Sequence, residues 1–392
     1  MTGCVPRESI VFDTESPSHE ASALESPSAS SIEIPTTPEA TTTMVKTHDT
    51  MPVNSNGNTI NNGSFFEYDG VLFGRILPAW MLSVRDGDGH FYLSAKNLLT
   101  GETTFLDTSS DIGNVIVYDD YIYYHDLDIA HPYADSLFHN IDSGAIYRCK
   151  LDGTDKERLT DALVTCFYIY DGKIYYQVGS YEIGSDGHGR PGTAQTVIYS
   201  MSLKGENCSL VYDSGIGDPS SCSFSIYDGF LYLSKGTNKG LISVNIDDGS
   251  ITDYTPFIFA SEYGIAFILD IIPTESIIYF QGVVYIDDFS QPPFLFSLDK
   301  ESGAVQQVVP EEVTAWNLNG DYVYYASVDG YIKRFSLVDS NKIIVCQSPI
   351  AGDINIIDGS IYFREEYRSS NTFYSVPDDG IERFNTGKPL YP

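Results

Sequence analysis

Five of the chain's seven histidines, His90, His125, His131, His139 and His188, fall within or beside three segments, 74–90, 125–143 and 179–195. Imidazole beside carboxylate is the donor set of zinc and other divalent ions. The run from His125 through Asp126, Asp128, His131, Tyr133 and Asp135 to His139 and Asp142 offers both donor types. Its spacing fits no established zinc motif, so divalent-metal binding is an open expectation and no resident cofactor is assigned. Asp86-Gly87-Asp88-Gly89 begins like a calcium loop, but His90 and Asn97 stand where the fifth and twelfth ligands belong.

A second chemistry-bearing set is carboxylic: Asp111, Asp218, Glu262, Glu311, Glu312 and Asp353 each lie near the start of an expected strand. Two carboxylates facing one another could act as acid and base on a glycoside. Their spacing selects no pair, and the chain has no nucleophile elbow, phosphate loop or zinc-protease motif. No catalytic residue is therefore assigned.

What positions these groups is a repeat. Tyr170-Asp171-Gly172-Lys173-Ile174-Tyr175-Tyr176 returns as Tyr68-Asp69-Gly70-Val71-Leu72-Phe73, Tyr118-Asp119-Asp120-Tyr121-Ile122-Tyr123-Tyr124 and Tyr227-Asp228-Gly229-Phe230-Leu231-Tyr232. It returns again as Asn319-Gly320-Asp321-Tyr322-Val323-Tyr324-Tyr325 and Ile357-Asp358-Gly359-Ser360-Ile361-Tyr362-Phe363, with a degraded copy at Pro273-Thr274-Glu275-Ser276-Ile277-Ile278-Tyr279-Phe280. Leu72, Ile122, Ile174, Leu231, Ile278, Val323 and Ile361 are thus equivalent, 50, 52, 57, 47, 45 and 38 residues apart. A second signature, Ala145 to Gly153 and Val197 to Gly205, lies between copies and leads into a short β-prone run.

Aromatic and β-branched content punctuated by Asp-Gly turns predicts strands. The third repeat reads as four of them: 166–170, 173–178, 196–203 and 208–212. The last repeat is expected to place its third and fourth strands at 372–376 and 381–384, and nothing carries a helical pattern over ten or more residues. Four-stranded repeats of this length predict an all-β protein, a β-propeller, with seven blades preceded by a disordered tail. Six or eight blades follow if the fifth repeat folds otherwise or if 48–62 adds strands. The domains are then 1–62, a linker, and 63–392, the propeller.

In such a blade the Asp-Gly turns join the first strand to the second and the third to the fourth on one plain face. The second-to-third connections lie on the other face, and they are long in repeats one to three. His90, His125, Asp126, Asp128, His131, Tyr133, His139 and His188 are the candidate binding residues there. Asp111, Glu262, Glu311 and Asp353 are expected around the channel mouth on the same face.

The net charge is −32, with 54 acidic against 22 basic residues. That opposes nucleic acid and anionic membrane surfaces, both of which need basic patches. Turn aspartates account for much of it; attraction of cations or of a basic partner is the sharper reading. Half of positions 13–50 are Ser, Thr or Pro, too polar to fold and suited to a flexible linker. Apart from Cys4, the cysteines, Cys149, Cys166, Cys208, Cys222 and Cys346, are odd in number with no CxxC and are expected as buried thiols.

Met1-Thr2-Gly3-Cys4 followed by this polar tract resembles the end of a bacterial lipoprotein signal. The resemblance implies lipidation at Cys4 and an extracytoplasmic place on the plasma membrane; a cytoplasmic protein is the alternative if Met1 is the true start. The signatures Ile174-Tyr175-Tyr176, Ile146-Tyr147-Arg148 with Leu151-Asp152-Gly153, and Leu159-Thr160-Asp161 resemble a bacterial propeller family of unknown function. That family is described as similar to the YWTD propeller of low-density lipoprotein receptor related proteins. This chain departs from the receptor pattern, with Tyr-Tyr for Tyr-Trp, so no receptor-like ligand is implied. The expectation is a monomeric, non-catalytic propeller that binds a protein, peptide or glycan through the long connections. A carbohydrate-active enzyme using the channel-mouth carboxylates and a cell-envelope scaffold are the alternatives.

Overall fold

A computed structural model describes residues 58, 63, 65–76, 92–107, 111–127, 144–160, 164–180, 195–215, 224–235, 240–286, 289–290, 293–347, 351–357, 359–367, 370–377 and 388–389. All lie within one compact unit, His48–Pro392. The tail at 13–50, Cys4 and Cys222 lie outside the described residues.

The strands follow the repeat. Repeat one contains β1 (Phe65–Tyr68), β2 (Val71–Ile76), β3 (Tyr92–Asn97) and β4 (Thr103–Asp107). Repeat two contains β5 (Asp111–Tyr118), β6 (Tyr121–Leu127), β7 (Gly144–Lys150) and β8 (Glu157–Arg158), and repeat three β9 (Val164–Tyr170), β10 (Lys173–Ser180), β11 (Gln195–Ser202) and β12 (Ser209–Asp213). Repeat four has β13 (Phe224–Tyr227), β14 (Phe230–Ser234), β15 (Leu241–Asn245) and β16 (Ile251–Asp253), followed by a short helix, α1 (Thr255–Ala260). Repeat five has β17 (Ile265–Pro273), β18 (Ile277–Ile286), the two-residue β19 (Phe289–Ser290) and β20 (Phe294–Asp299). β21 (Val305–Asn319) closes repeat five and opens repeat six, which continues with β22 (Tyr322–Ser327), β23 (Tyr331–Ser336) and β24 (Lys342–Gln347). The last repeat is β25 (Ala351–Ile357), β26 (Ser360–Tyr367), β27 (Ser370–Pro377) and β28 (Lys388–Pro389).

Within each repeat neighbouring strands pair antiparallel in chain order. The degraded fifth copy is no exception: β17 and β18 form a long bulged hairpin. In the last repeat β28 pairs with Tyr374 and Ser375, and the strand expected at 381–384 lies outside the described residues. α1 was not expected; Pro256 suits its first turn, and the Ser261 hydroxyl and amide close it on the Ile258 carbonyl.

The Asp-Gly turns explain the tight hairpins. Asp69 and Gly70, Asp119 and Asp120, Asp171 and Gly172, and Asp228 and Gly229 all have positive φ at both central positions. That is the mirror-image turn whose twist matches the flanking strands. Glycine is needed again at Gly153, Gly205 and Gly303, which have φ of 81°, 79° and 72°. There an added Cβ would run into Leu106, Leu159 and Phe257, each from the preceding repeat.

The core is a series of interfaces between successive sheets. One cluster joins repeats one to three; others join three with four, four with five, five with six and six with seven. The seven equivalent aliphatic residues, from Leu72 to Ile361, are all completely buried. Period-two alternation gives the Tyr-Tyr pair its meaning. Tyr175 packs toward repeat four and Tyr176 toward repeats one and two; Tyr324 packs toward repeat seven and Tyr325 toward repeat five. Each dipeptide therefore supplies one ring to both of its flanking interfaces.

Polar side chains stitch the innermost strands. Asn114 on β5 donates to the Phe167 carbonyl on β9 at 3.1 Å, Ser225 on β13 donates to Ile271 on β17, and Asn317 on β21 donates to Ile354 on β25 at 2.7 Å. The last and first repeats meet through Phe65 and Tyr362, 5.6 Å apart between ring centres. Asn58, before β1, fastens this junction. Its Oδ1 accepts from the Ile356 amide at 2.7 Å and from Asn317 Nδ2 at 2.8 Å, and its Nδ2 donates to the Ile356 carbonyl at 3.0 Å.

Among the described residues Cys149, Cys166, Cys208 and Cys346 are free thiols. Cys149 and Cys346 are buried as expected, Cys166 is partly so, and Cys208 is exposed because it precedes an outermost strand.

Candidate functional site

The strand bounds place the long connections. β2 ends at Ile76 and β3 begins at Tyr92; β6 ends at Leu127 and β7 begins at Gly144; β10 ends at Ser180 and β11 begins at Gln195. In repeats six and seven the corresponding connections are only 328–330 and 368–369. Antiparallel order puts all the second-to-third connections at one end of the sheets. His90, Asp128, His131, Tyr133, His139 and His188 belong to the long ones and lie outside the described residues.

At the foot of the second long connection, β6 carries His125 and Asp126 opposite Ile146 and Ala145 of β7. Their exposures are 3% and 8%. They are therefore held by the sheet rather than by a surface loop. Lys156 links this pair to a group that sequence reading overlooked. Its ammonium lies 2.5 Å from Asp107 Oδ2 and 3.9 Å from Asp126 Oδ2. It also lies 4.7 Å from the centre of the Tyr147 ring, which stacks on Tyr124 at 5.9 Å. The Tyr124 hydroxyl donates to Asp107 at 3.0 Å. Burial, then the charge of Asp107, pushes the Tyr124 phenol well above its ordinary range. Burial likewise pushes the Cys149 thiol up to about 12.

The expected channel-mouth carboxylates divide. Asp111 opens β5 opposite Leu127, beside the long connection. Glu262 is exposed between α1 and β17. Glu311 is held by Lys333, by Lys342 at 3.0 Å and by the Tyr325 hydroxyl at 2.5 Å. Burial alone would raise its carboxyl, but those three partners hold it below the ordinary range. Asp353 is buried at a bulge in β25, with φ of 50°, and its carbonyl accepts from Asn355 at 2.8 Å. A left-handed backbone at a buried aspartate is strained, and such strain concentrates at functional positions. Among the described residues, no three His, Cys, Asp or Glu side chains gather as a metal-ligand set.

The overlooked group had a sequence signal. Lys156, Cys208 and Lys342 each stand five residues after an equivalent leucine, Leu151, Leu203 and Leu337. In the third repeat Tyr176 meets Cys208 at 2.8 Å, where the second and sixth repeats join their tyrosine to a carboxylate and lysine.

No protein-family model matches the chain, and no curated protein matches it. Solved structures do. The chain is similar to an oligogalacturonate lyase in complex with manganese, with TM-score 0.54 and 10% identity over 83% of this chain and 89% of the other. It is similar to the propeller domain of the Trilobed protease from Pyrococcus furiosus, with TM-score 0.51 and 11% identity over 84% and 97%. The chain is a β-propeller. It is also similar to a polysaccharide lyase, with TM-score 0.51 and 10% identity over 81% and 90%. At such identities the likeness shows the fold of this propeller and leaves its chemistry to its own residues.

Proposed function

We propose that this propeller is a seven-bladed, non-catalytic binding module whose ligand, a protein, peptide or glycan, is held by the second-to-third connections of repeats one to three. The carrying observation is the contrast between connections 77–91, 128–143 and 181–194 and the two- and three-residue ones of repeats seven and six. Loops of that length on a rigid scaffold are commonly where binding resides. The buried His125 and Asp126 give the second loop a fixed base.

Charge narrows the ligand. The chain carries −32, and Lys156, Lys333 and Lys342 are already paired with its own carboxylates. A polyanion meets long-range repulsion there, whereas a neutral or cationic ligand does not. The test replaces 129–142 and 182–193 with short Gly-Ser linkers and compares both proteins on arrays of neutral glycans and synthetic peptides. A ligand bound by the unaltered chain and lost by the replacement supports the reading, given an unchanged melting temperature. A ligand retained by the replacement moves the site elsewhere.

A second reading, a carbohydrate-active enzyme at the channel mouth, is favoured by the lyase neighbours and by the strained, buried Asp353. It requires turnover of a polysaccharide that Asp353→Asn abolishes. The lipid anchor on Cys4 belongs to the same picture as a tether, and intact-mass measurement of membrane-extracted protein decides it.

A further inference from the structure

The helix α1 departs from the repeat. It occupies the crossing from repeat four to repeat five, where the crossings after β4 and β24 need only 108–110 and 348–350. Insertions that break a repeat often carry its contacts with other molecules. Ile258 anchors the helix and is buried, while Phe257 and Phe259 on either side are 40% and 50% exposed. Ile251, on the outermost strand just before, is exposed as well. Phe257 lies over the Gly303 turn of repeat five, so its ring bridges the boundary between the two repeats. Two residues apart in the helix, Phe257 and Phe259 stand on opposite flanks of the buried Ile258, and exposed aromatic rings of this kind mark interaction surfaces.

Its rim is acidic. Asp253, Glu262 and Glu301 are exposed in the strand end, the helix exit and the adjoining turn. Of the nearby cations, Lys235 is paired with Asp253 at 3.7 Å, and Lys300 is drawn inward to the Thr274 carbonyl at 2.5 Å and the Tyr232 hydroxyl at 2.8 Å. The chain's own amino-terminal tail carries more acidic than basic residues, and a second copy carries −32, so like charge opposes both as occupants. We infer that α1 and its rim form a docking surface for a basic segment of another protein that presents an apolar face flanked by Lys or Arg. The proposal does not depend on the ligand of the long connections.

The test titrates the full chain with three labelled peptides of equal length: a Lys/Leu amphipathic helix, its Glu/Leu counterpart and a Lys/Ser peptide. The Lys/Leu peptide is expected to bind best, at least tenfold more weakly to Phe259→Ser, with the Lys/Ser peptide indifferent to that change. Asp253→Asn with Glu262→Gln is expected to weaken Lys/Leu binding several-fold at low salt and not at high salt, which keeps the test open if Phe259→Ser folds poorly. Circular dichroism and melting temperature check folding. Equal Lys/Leu binding by the unaltered chain and Phe259→Ser overturns the proposal, as does equal binding of the Glu/Leu peptide. Self-association lost in Phe259→Ser, or cross-linking of the tail to residue 259, gives the surface to another occupant and overturns it too.

Discussion

The Tyr124 hydroxyl of repeat two donates to Asp107 Oδ2 of repeat one at 3.0 Å, and the Lys156 ammonium meets the same oxygen at 2.5 Å. Tyr325 and Lys342 hold Glu311 in the same way at the boundary of repeats five and six. A carboxylate at the boundary of two repeats is thus clamped by the tyrosine and lysine of the later one. Such charge-assisted bonds between partly buried groups stabilise more than exposed ion pairs do.

Tyr124→Phe is expected to lower unfolding free energy by about 1 kcal/mol, the net worth of one hydrogen bond. Asp107→Ala leaves both the phenol and Lys156 without that carboxylate and is expected to cost about 1–3 kcal/mol. Urea denaturation of the two variants and their double mutant measures the coupling, and additive losses would show that no clamp exists.

Asn58→Ala is expected to lose about 2–3 kcal/mol, because it strips partners from the Asn317 amide and from both backbone groups of Ile356. The first and last sheets share no strand, so this side chain carries part of their junction. Hydrogen exchange should quicken in β1 and β25 first. Uniform loosening of all repeats would assign Asn58 a different role.

Stability should fall at both ends of the pH range. Glu311 and Asp329 sit below the ordinary carboxylate range, so their contribution is complete at neutral pH and is lost as pH falls through the folded values. Burial disfavours charged Lys333, but Asp329 and Glu311 outweigh it and hold it above the ordinary range. Its contribution is complete below that range and is lost as pH rises through the raised value. Melting temperatures across pH check both limbs, and Glu311→Gln should flatten the acid one.

Thiol labelling of the native protein, mapped by mass spectrometry, should modify Cys208 well before Cys149 or Cys346. Cys208 is exposed, and the Cys149 thiol is both buried and pushed up to about 12, so little thiolate forms there near neutral pH. Equal rates would contradict this placement.

Removing a core equivalence point tests the repeat itself. Ile278→Ala, in the copy with the weakest motif, is expected to cost about 2–5 kcal/mol, as much as Ile122→Ala, since both side chains are wholly enclosed. A loss under about 1 kcal/mol at position 278 would mean that the degraded copy is packed loosely.

Strand order was legible in the chain because side-chain alternation and turn chemistry are local. Tyr-Asp-Gly demands a positive-φ hairpin wherever it occurs, and the residue three after each turn aspartate must be enclosed, as Ile174 is. α1 escaped because six residues are too few for helical periodicity to emerge, and only Pro256 announced it. Which end of the sheets carries long connections also followed from strand order alone. Partners across repeats did not, because Asp107 with Lys156 and Asn58 with Ile356 are 49 and 298 residues apart, and no local pattern encodes which side chains adjoining sheets bring together. The tertiary structure likewise set Glu311 in an ion-pair clamp and gave Asp353 its strained, buried backbone. Local chemistry determines the strands and turns of this propeller; the packing of one sheet on the next decides which of its polar residues are occupied in holding it together.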